Sequence, residues 1–143
     1  MREQEWIGVD LDATLAHYEG FKGADHIGEP IMPMVERVKD WLSAGKRVKI
    51  FTARVDGGSI ALGMGNPDGV QFSDVEKVKQ PIREWCLKHL GQVLEITNTK
   101  DYAMIQLWDD RCIQVEANTG IPVASCKDRK RKSYKPNDKA HGR

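Results

Sequence analysis

Short apolar segments typical of β-strands alternate along this 143-residue chain with segments of helical periodicity. The strand-like segments cover residues 5–11, 47–52, 92–97, 103–108 and 112–115, and the helix-like segments cover residues 33–44 and 74–90. Alternation of this kind, with short connections, is typical of α/β proteins in which helices connect parallel strands. The sequence therefore predicts an α/β fold with a mostly parallel, five-stranded sheet.

Punctuating residues support the predicted helices. Pro33 suits a first helical turn, and Gly45 and Gly91 each follow a periodic segment at the place where a helix stops. Pro81 lies inside the second segment, where it predicts either a kink or a later start of that helix.

The composition indicates a water-soluble, cytoplasmic protein. No apolar run approaches the roughly 18 residues of a membrane span, and the first residues lack the apolar core of a signal peptide. The three cysteines are widely spaced and form no CxxC pair, so neither a zinc site nor a disulfide framework is expected.

Charge divides the chain into two predicted regions. Residues 127–143 hold eight Lys or Arg and two Asp, a balance of +6, so the overall charge of +1 leaves −5 on residues 1–126. We expect residues 1–126 to form one domain and residues 127–143 to be a disordered basic tail. The tail is either merely solvated or an arm that makes weak contact with nucleic acid.

The long connection over residues 53–72, with five glycines, is either a mobile lid or a plain surface loop.

Polar side chains follow the ends of the predicted strands. Asp10 and Asp12 follow the first strand, Thr52 the second, Lys100 the third, and Asp109 and Asp110 the fourth. In open α/β sheets, ligands bind outside the carboxyl ends of the strands. We therefore expect four carboxylates, a hydroxyl and an ammonium group to converge on one crevice.

Four carboxylates in one crevice need a cation, because like charges a few ångströms apart raise each other's pKa. The candidate ligands offer only oxygen atoms, which favours Mg²⁺ over zinc. A Mg²⁺ ion beside Thr52 and Lys100 would form a site that suits a phosphoryl group. Lys100 would supply a positive point charge, and Thr52 would supply a neutral hydrogen-bond donor. The predicted metal ligands are Asp10, Asp12, Asp109 and Asp110.

The spacing of Asp10 and Asp12 predicts separate roles for them. Residues two apart share a face of a regular strand, but the predicted strand ends here, and a bend would turn the two side chains apart. Asp10 can then face the metal and the phosphorus as a nucleophile. Asp12, beyond the bend, can protonate the leaving group and later activate water.

Four short motifs together resemble those of the haloacid dehalogenase-like phosphohydrolases. They are DLDAT at 10–14, FTAR at 51–54, Lys100 ahead of a strand, and WDD at 108–110, and the resemblance covers roughly residues 5–116. It implies a Rossmann-like, three-layer domain without a large cap domain, and a phospho-aspartyl intermediate.

The resemblance also implies roles for particular residues. Asp10 would be the nucleophile, and Asp12 the general acid and base that also offers Mg²⁺ its backbone carbonyl. Thr52 and Lys100 would hold the phosphoryl group. Asp109 would bind Mg²⁺, with Asp110 beside it as a ligand or as a helper through water. Residues 15–32 would form a turn and a flap over the site.

One residue departs from the family pattern. The family often has glycine where this chain has Ala13. Alanine does not easily adopt a positive φ. We expect that position only to extend the exit from the strand, so that no positive φ is required.

The sequence thus predicts a Mg²⁺-dependent phosphomonoester hydrolase with Asp10, Asp12, Thr52 and Lys100 as catalytic residues. Thr14 and Arg54 are candidate substrate-binding residues, although Arg54 could equally be a surface charge. An open site suits a nucleotide or a nucleic-acid end as substrate. The alternative is a non-catalytic module that binds a phosphorylated ligand or a partner in the same crevice.

Overall fold

The computed structural model describes residues 5–55 and 75–124. They form the strands β1 (Trp6–Val9), β2 (Arg47–Phe51), β3 (Glu95–Thr97) and β4 (Met104–Trp108), the helices α1 (Met32–Ser43) and α2 (Val75–Leu90), and a 3₁₀ turn over Ala53–Val55. The predicted connection over 53–72 continues from this turn into residues outside the described ranges. The predicted tail over 127–143 lies wholly outside them.

The described strands form one parallel sheet in the order β3-β2-β1-β4. β1 is central and pairs with β2 on one side and β4 on the other, and all four of its residues are buried. This confirms the predicted α/β class and the parallel sheet.

The predicted fifth strand over residues 112–115 is absent from the described part of the sheet. Val115 instead forms an isolated antiparallel bridge with Pro122. Asn118 and Gly120 have φ values of +64° and +72°, which turn the chain back on itself. The backbone hydrogen bonds of this segment are therefore made locally, within residues 114–123.

Both helices end and begin largely as the sequence predicts. Pro33 lies in the first turn of α1, and Gly45, with φ +81°, follows its last turn. The N–H groups of Gly45 and Lys46 donate to the carbonyls of Leu42 and Trp41, which is a Schellman ending. α2 runs through Pro81 with six helical residues ahead of it, so the later start that Pro81 allowed is not observed.

The helices cover one face of the sheet. β1, β2 and β3 are successive neighbours, so right-handed crossovers place α1 and α2 on the same side. Ile7, Val9, Val48 and Ile50 point into the core that these helices share. On the opposite face, the Lys49 ammonium lies 4.4 Å from the centre of the buried Trp6 ring.

The exit from β1 is a tight turn. The Leu11 carbonyl accepts hydrogen bonds from the N–H groups of Leu15 and Ala16, at 3.0 and 2.8 Å. Ala13 has φ +70° within this turn. The expectation that Ala13 needs no positive φ is therefore wrong, because the chain reverses at once after Asp12 instead of continuing as a strand.

A loop over residues 17–29 leaves this turn and returns to α1. Its ends are held together by a bridge between Ala16 and Pro30 and by the His17 N–H, which donates to the Glu29 carbonyl at 2.8 Å. Gly28 is required there, because a Cβ atom would lie 2.0 Å from the His17 carbonyl oxygen.

Neither described helix has the length and apolar character needed to cross a bilayer.

Candidate functional site

Three acids meet at the carboxyl end of the central strands. Asp10 follows β1, and Asp109 and Asp110 follow β4, whose Trp108 pairs with Val9. The Asp10 N–H donates to the Trp108 carbonyl at 2.9 Å, which aligns the two strand ends. One carboxylate oxygen from each acid lies within 4.8 Å of the others. We call Asp10, Asp109 and Asp110 the acid cluster.

The acid cluster is electrostatically crowded. The pKa of Asp10 is raised to about 9, mainly by burial and then by the charge of Asp109, a hydrogen bond with Asp110 and the charges of Asp110 and Asp12. A carboxyl group in these surroundings is stabilised in its ionised form by a nearby cation. The donor set consists of hard oxygen atoms, so the cluster fits a divalent ion such as Mg²⁺.

Thr14 lies within hydrogen-bond distance of two members of the cluster. Its hydroxyl oxygen is 3.4 Å from Asp10 Oδ2 and 3.3 Å from Asp110 Oδ1, and it accepts the Asp110 backbone N–H at 3.1 Å. Thr14 therefore connects the turn after β1 with the end of β4. Its predicted contact with a substrate stays a prediction.

Asp12 lies apart from the acid cluster and pairs with Arg54. Arg54 Nε donates to Asp12 Oδ2 at 2.7 Å, and Arg54 Nη2 donates to Oδ1 at 2.8 Å. Asp10 and Asp12 therefore have different partners, and the Asp12 side chain does not join the acid cluster, so its role as a metal ligand stays a prediction. Arg54 is 8% exposed, so of the two alternatives the surface charge is wrong.

Thr52 and Lys100 differ in their surroundings. Thr52 is 2% exposed, and its hydroxyl oxygen accepts the Arg54 N–H at 3.1 Å. Lys100 is exposed and forms no ion pair within 4.0 Å in the part of the chain that the structure describes. The structure brings Thr52 to the Arg54 end of the site and does not pair Lys100 with the acids.

A cavity of about 490 Å³ lies between the 17–29 loop and the Asp12–Arg54 pair. Its lining is mixed in charge and comprises Asp12, His17, Tyr18, Glu19, Gly20, Lys22, His26, Ile27, Gly28, Glu29 and Arg54. The volume is within the range of small-molecule sites, roughly 300 to 1,000 Å³. Asp12 and Arg54 therefore border a space that can hold a ligand, whereas Asp10, Asp109 and Asp110 are not among its lining residues.

Sequence reasoning missed several residues that shape this site. Trp85 lies in the core, where it is 7% exposed, and its indole N–H donates to the Gly28 carbonyl at 2.9 Å. Cys112 lies near the acid cluster, and burial, together with the charges of those acids, raises its pKa. The spacing of Trp85 reveals only an apolar helix face, and nothing in the sequence signals Gly28 or Cys112.

Comparison with known proteins adds no relative. No family model, no curated protein and no solved structure matches this chain. Assignment of a function therefore depends on the geometry of the site and on the four motifs.

Proposed function

We propose that this chain is a Mg²⁺-dependent phosphomonoester hydrolase that works through a phospho-aspartyl intermediate. The observation that carries the proposal is that two acids at the exit from one strand lie in different surroundings. Asp10 lies in the acid cluster, whereas Asp12, two residues later, pairs with Arg54 and lines the cavity. This division suits a nucleophile and a general acid and base acting on opposite sides of one phosphorus atom.

The proposed reaction has two steps. A carboxylate oxygen of Asp10 forms a bond to phosphorus while the ester P–O bond breaks, and the ester oxygen leaves with the electron pair and takes a proton from Asp12. Asp12 then accepts a proton from the water that attacks phosphorus, which releases phosphate and restores Asp10. Thr52 and Lys100 donate hydrogen bonds to the phosphoryl oxygens.

The metal would be held by the acid cluster and by the Asp12 carbonyl. A bound Mg²⁺ would supply positive charge to the cluster and to the phosphoryl oxygens. At a neutral pH the raised pKa of Asp10 favours its protonated form, which is not nucleophilic. We therefore expect activity only when a divalent cation is present.

A Rossmann-like, capless domain of the haloacid dehalogenase type is part of this proposal. The described parallel sheet, with β1 central and acids at its carboxyl end, supports it. An open site suits a nucleotide or a nucleic-acid end, and the basic residues 127–143 would attract such a polyanion.

An acid-quench experiment tests the mechanism. During turnover of a ³²P-labelled phosphomonoester with Mg²⁺, the wild-type protein should carry label that survives acid and is released by hydroxylamine. Asp10→Asn should carry none, whereas Asp40→Asn, on the exposed side of α1, should label like the wild type. Turnover without any labelled protein, or turnover that persists in EDTA, would contradict the mechanism.

A binding module for phosphorylated ligands is the second candidate. The Asp12–Arg54 pair favours it. Both carboxylate oxygens of Asp12 already accept hydrogen bonds from Arg54, so Asp12 is already engaged before any substrate binds. Such a module would bind p-nitrophenyl phosphate without releasing p-nitrophenol, so a turnover assay with Mg²⁺ separates the two functions.

The role of the basic residues 127–143 has its own test. Deleting them should leave hydrolysis of a small phosphomonoester nearly unchanged and weaken binding of a phosphorylated oligonucleotide. The loss should shrink as salt rises. For each phosphate contact removed, the slope of log K against log salt should become shallower by roughly 0.7 to 0.9. Equal binding of both proteins at low salt would contradict the nucleic-acid role.

A further inference from the structure

Arg54 is a buried guanidinium with an unusually complete set of partners. Its side chain is 7% exposed, and it follows β2 in the 3₁₀ turn. Besides its two bonds to Asp12, Nη2 donates to the His26 carbonyl at 2.9 Å and Nη1 to the Ala24 carbonyl at 3.3 Å. A buried charge is tolerated only with such partners, so this arrangement is strongly specified.

The partners of Arg54 belong to two successive segments of the chain. Asp12 lies in the turn after β1, and the Ala24 and His26 carbonyls lie in the 17–29 loop. The Phe21 ring of the same loop also lies 5.9 Å from the guanidinium carbon. Arg54 therefore fixes the Asp12 carboxylate relative to the loop that lines the cavity.

The hydrogen-bond count disfavours Arg54 as a phosphate ligand. A guanidinium has five N–H donors. Nε makes one bond, Nη2 makes two and Nη1 makes one, which engages four of them. At most one donor remains for a substrate.

We infer that Arg54 is a positioning residue, which orients Asp12 toward the leaving group of a substrate in the cavity and couples that orientation to the 17–29 loop. The inference rests on the proposed phosphohydrolase function. When Asp12 carries the proton, one of its oxygens keeps a bond from Arg54 while the other donates to the leaving oxygen. A lysine cannot replace this fork, because an ammonium group is a point charge without fixed donor geometry.

Leaving-group chemistry separates positioning of Asp12 from a general structural role. The p-nitrophenolate group leaves without a proton, whereas the benzyl alkoxide of benzyl phosphate, of similar size, needs one. General acid catalysis contributes about 10² to 10⁴ to such reactions. The ratio of kcat/KM for these two esters therefore reports how well Asp12 delivers its proton.

The experiment compares Arg54→Lys with Arg47→Lys. Arg47 also forms a fork with a carboxylate, to Glu95 at 2.8 and 2.9 Å, but its side chain is 40% exposed and lies at the other end of β2. Arg54→Lys should lower kcat/KM for benzyl phosphate about 10²-fold and for p-nitrophenyl phosphate less than about threefold. Arg47→Lys should change neither by more than about twofold.

A double substitution tests whether Arg54 acts through Asp12. Asp12→Asn combined with Arg54→Lys should lose no more benzyl phosphate activity than Asp12→Asn alone. Additive losses, or equal losses for both esters in Arg54→Lys, would overturn the inference while the proposed function stood. A wild-type protein that hydrolyses neither ester, nor any other phosphomonoester, would overturn both.

A measurement on the Arg54 side chain itself covers the case in which Arg54→Lys does not fold. In the wild-type protein the Arg54 Nε–H should exchange with solvent slowly, as a buried, hydrogen-bonded group. In Asp12→Asn, which weakens its acceptor, exchange should be at least about tenfold faster. Fast exchange in the wild type, or an unchanged rate in Asp12→Asn, would overturn the inference.

Discussion

The two ends of the parallel sheet use acidic residues in opposite ways. At the amino end, Glu95 accepts a fork of hydrogen bonds from Arg47, which lowers the pKa of Glu95. Asp101 accepts the Trp6 indole N–H at 2.8 Å, which lowers the pKa of Asp101, and Lys49 lies 3.9 Å from both acids. These acids are stabilised in their ionised forms.

At the carboxyl end, Asp10 is surrounded by other acids, and its pKa is raised. The same residue type is thus compensated at one end of the sheet and crowded at the other. Crowding disfavours the ionised forms of these acids in the absence of a cation, and strongly shifted pKa values are frequent at functional sites. The proposed function uses the end of the sheet at which the acids are crowded.

The two arginine forks sharpen this contrast, because they occupy the two ends of β2. Arg47 and Glu95 have side chains that are 40% and 53% exposed, whereas Arg54 and Asp12 are 7% and 20% exposed. An exposed pair contributes little, and a buried pair is costly to break. The amino-end fork is therefore expected to be dispensable and the carboxyl-end fork essential.

The largest expected effect concerns Asp10 and Asp101. Asp10→Asn removes the proposed nucleophile and keeps its shape, so turnover should fall on the order of 10⁴-fold or more. Asp101→Asn, at the amino end, should leave turnover within about twofold of the wild type. Steady-state assays with p-nitrophenyl phosphate and Mg²⁺ measure both. If Asp10→Asn retained more than about a tenth of the activity, the phospho-aspartyl mechanism would be wrong.

The next effect is on stability and compares the two forks. Arg54→Gln leaves the partly buried Asp12 carboxylate without its partner and should lower the free energy of unfolding by about 2 to 4 kcal/mol. Arg47→Gln should lower it by at most about 1 kcal/mol. Urea denaturation of both variants measures the difference. Equal losses would show that burial does not distinguish the forks.

A third prediction concerns pH and the acid cluster. Because the Asp10 pKa is about 9 in the folded protein and ordinarily 3.8, the folded state binds more protons between these values. The free energy of unfolding should therefore fall as pH rises, and the metal-free protein should melt several degrees lower at about pH 8 than at about pH 5.

Two comparisons isolate this contribution. Mg²⁺ at millimolar concentration should raise the melting temperature more at the higher pH, through binding to the folded state. Asp10→Asn should remove the pH-dependent part that Asp10 supplies. Glu95 and Asp101 act in the opposite direction, since their stabilisation is lost as pH falls through their lowered pKa values. A metal-free wild type with the same pH profile as Asp10→Asn would contradict the raised pKa.

The smallest effect concerns the backbone at the carboxyl end. Ala13 has φ +70°, a conformation that costs a residue with a Cβ atom about 1 kcal/mol. Ala13→Gly removes this strain but loosens the unfolded chain, so the net gain should be less than about 1 kcal/mol. Gly91→Ala, at φ +86° in open space, introduces the same strain and should destabilise. Thermal melts of both variants should shift in opposite directions, and a lower melting temperature for Ala13→Gly would show that Ala13 is unstrained.

The sequence by itself determined much of the fold and the meeting of the acids. Apolar periodicity places the two helices and the four observed strands within a few residues of their observed bounds. The parallel arrangement then follows from their alternation, and parallel strands bring their carboxyl ends to one edge. This is why Asp10, Asp109 and Asp110 were predicted together, although roughly a hundred residues separate them.

Only the tertiary structure decided the features that depend on a specific partner. Residues 112–115 have a strand pattern, but the turn at Asn118 and Gly120 gives them a local partner instead of the sheet. Arg54 is a charged residue with no periodicity to reveal its burial, and its four acceptors come from segments distant in the sequence. Periodicity reports which face of an element is apolar, whereas the partner of a polar group and the φ of a turn are fixed only when distant segments pack together.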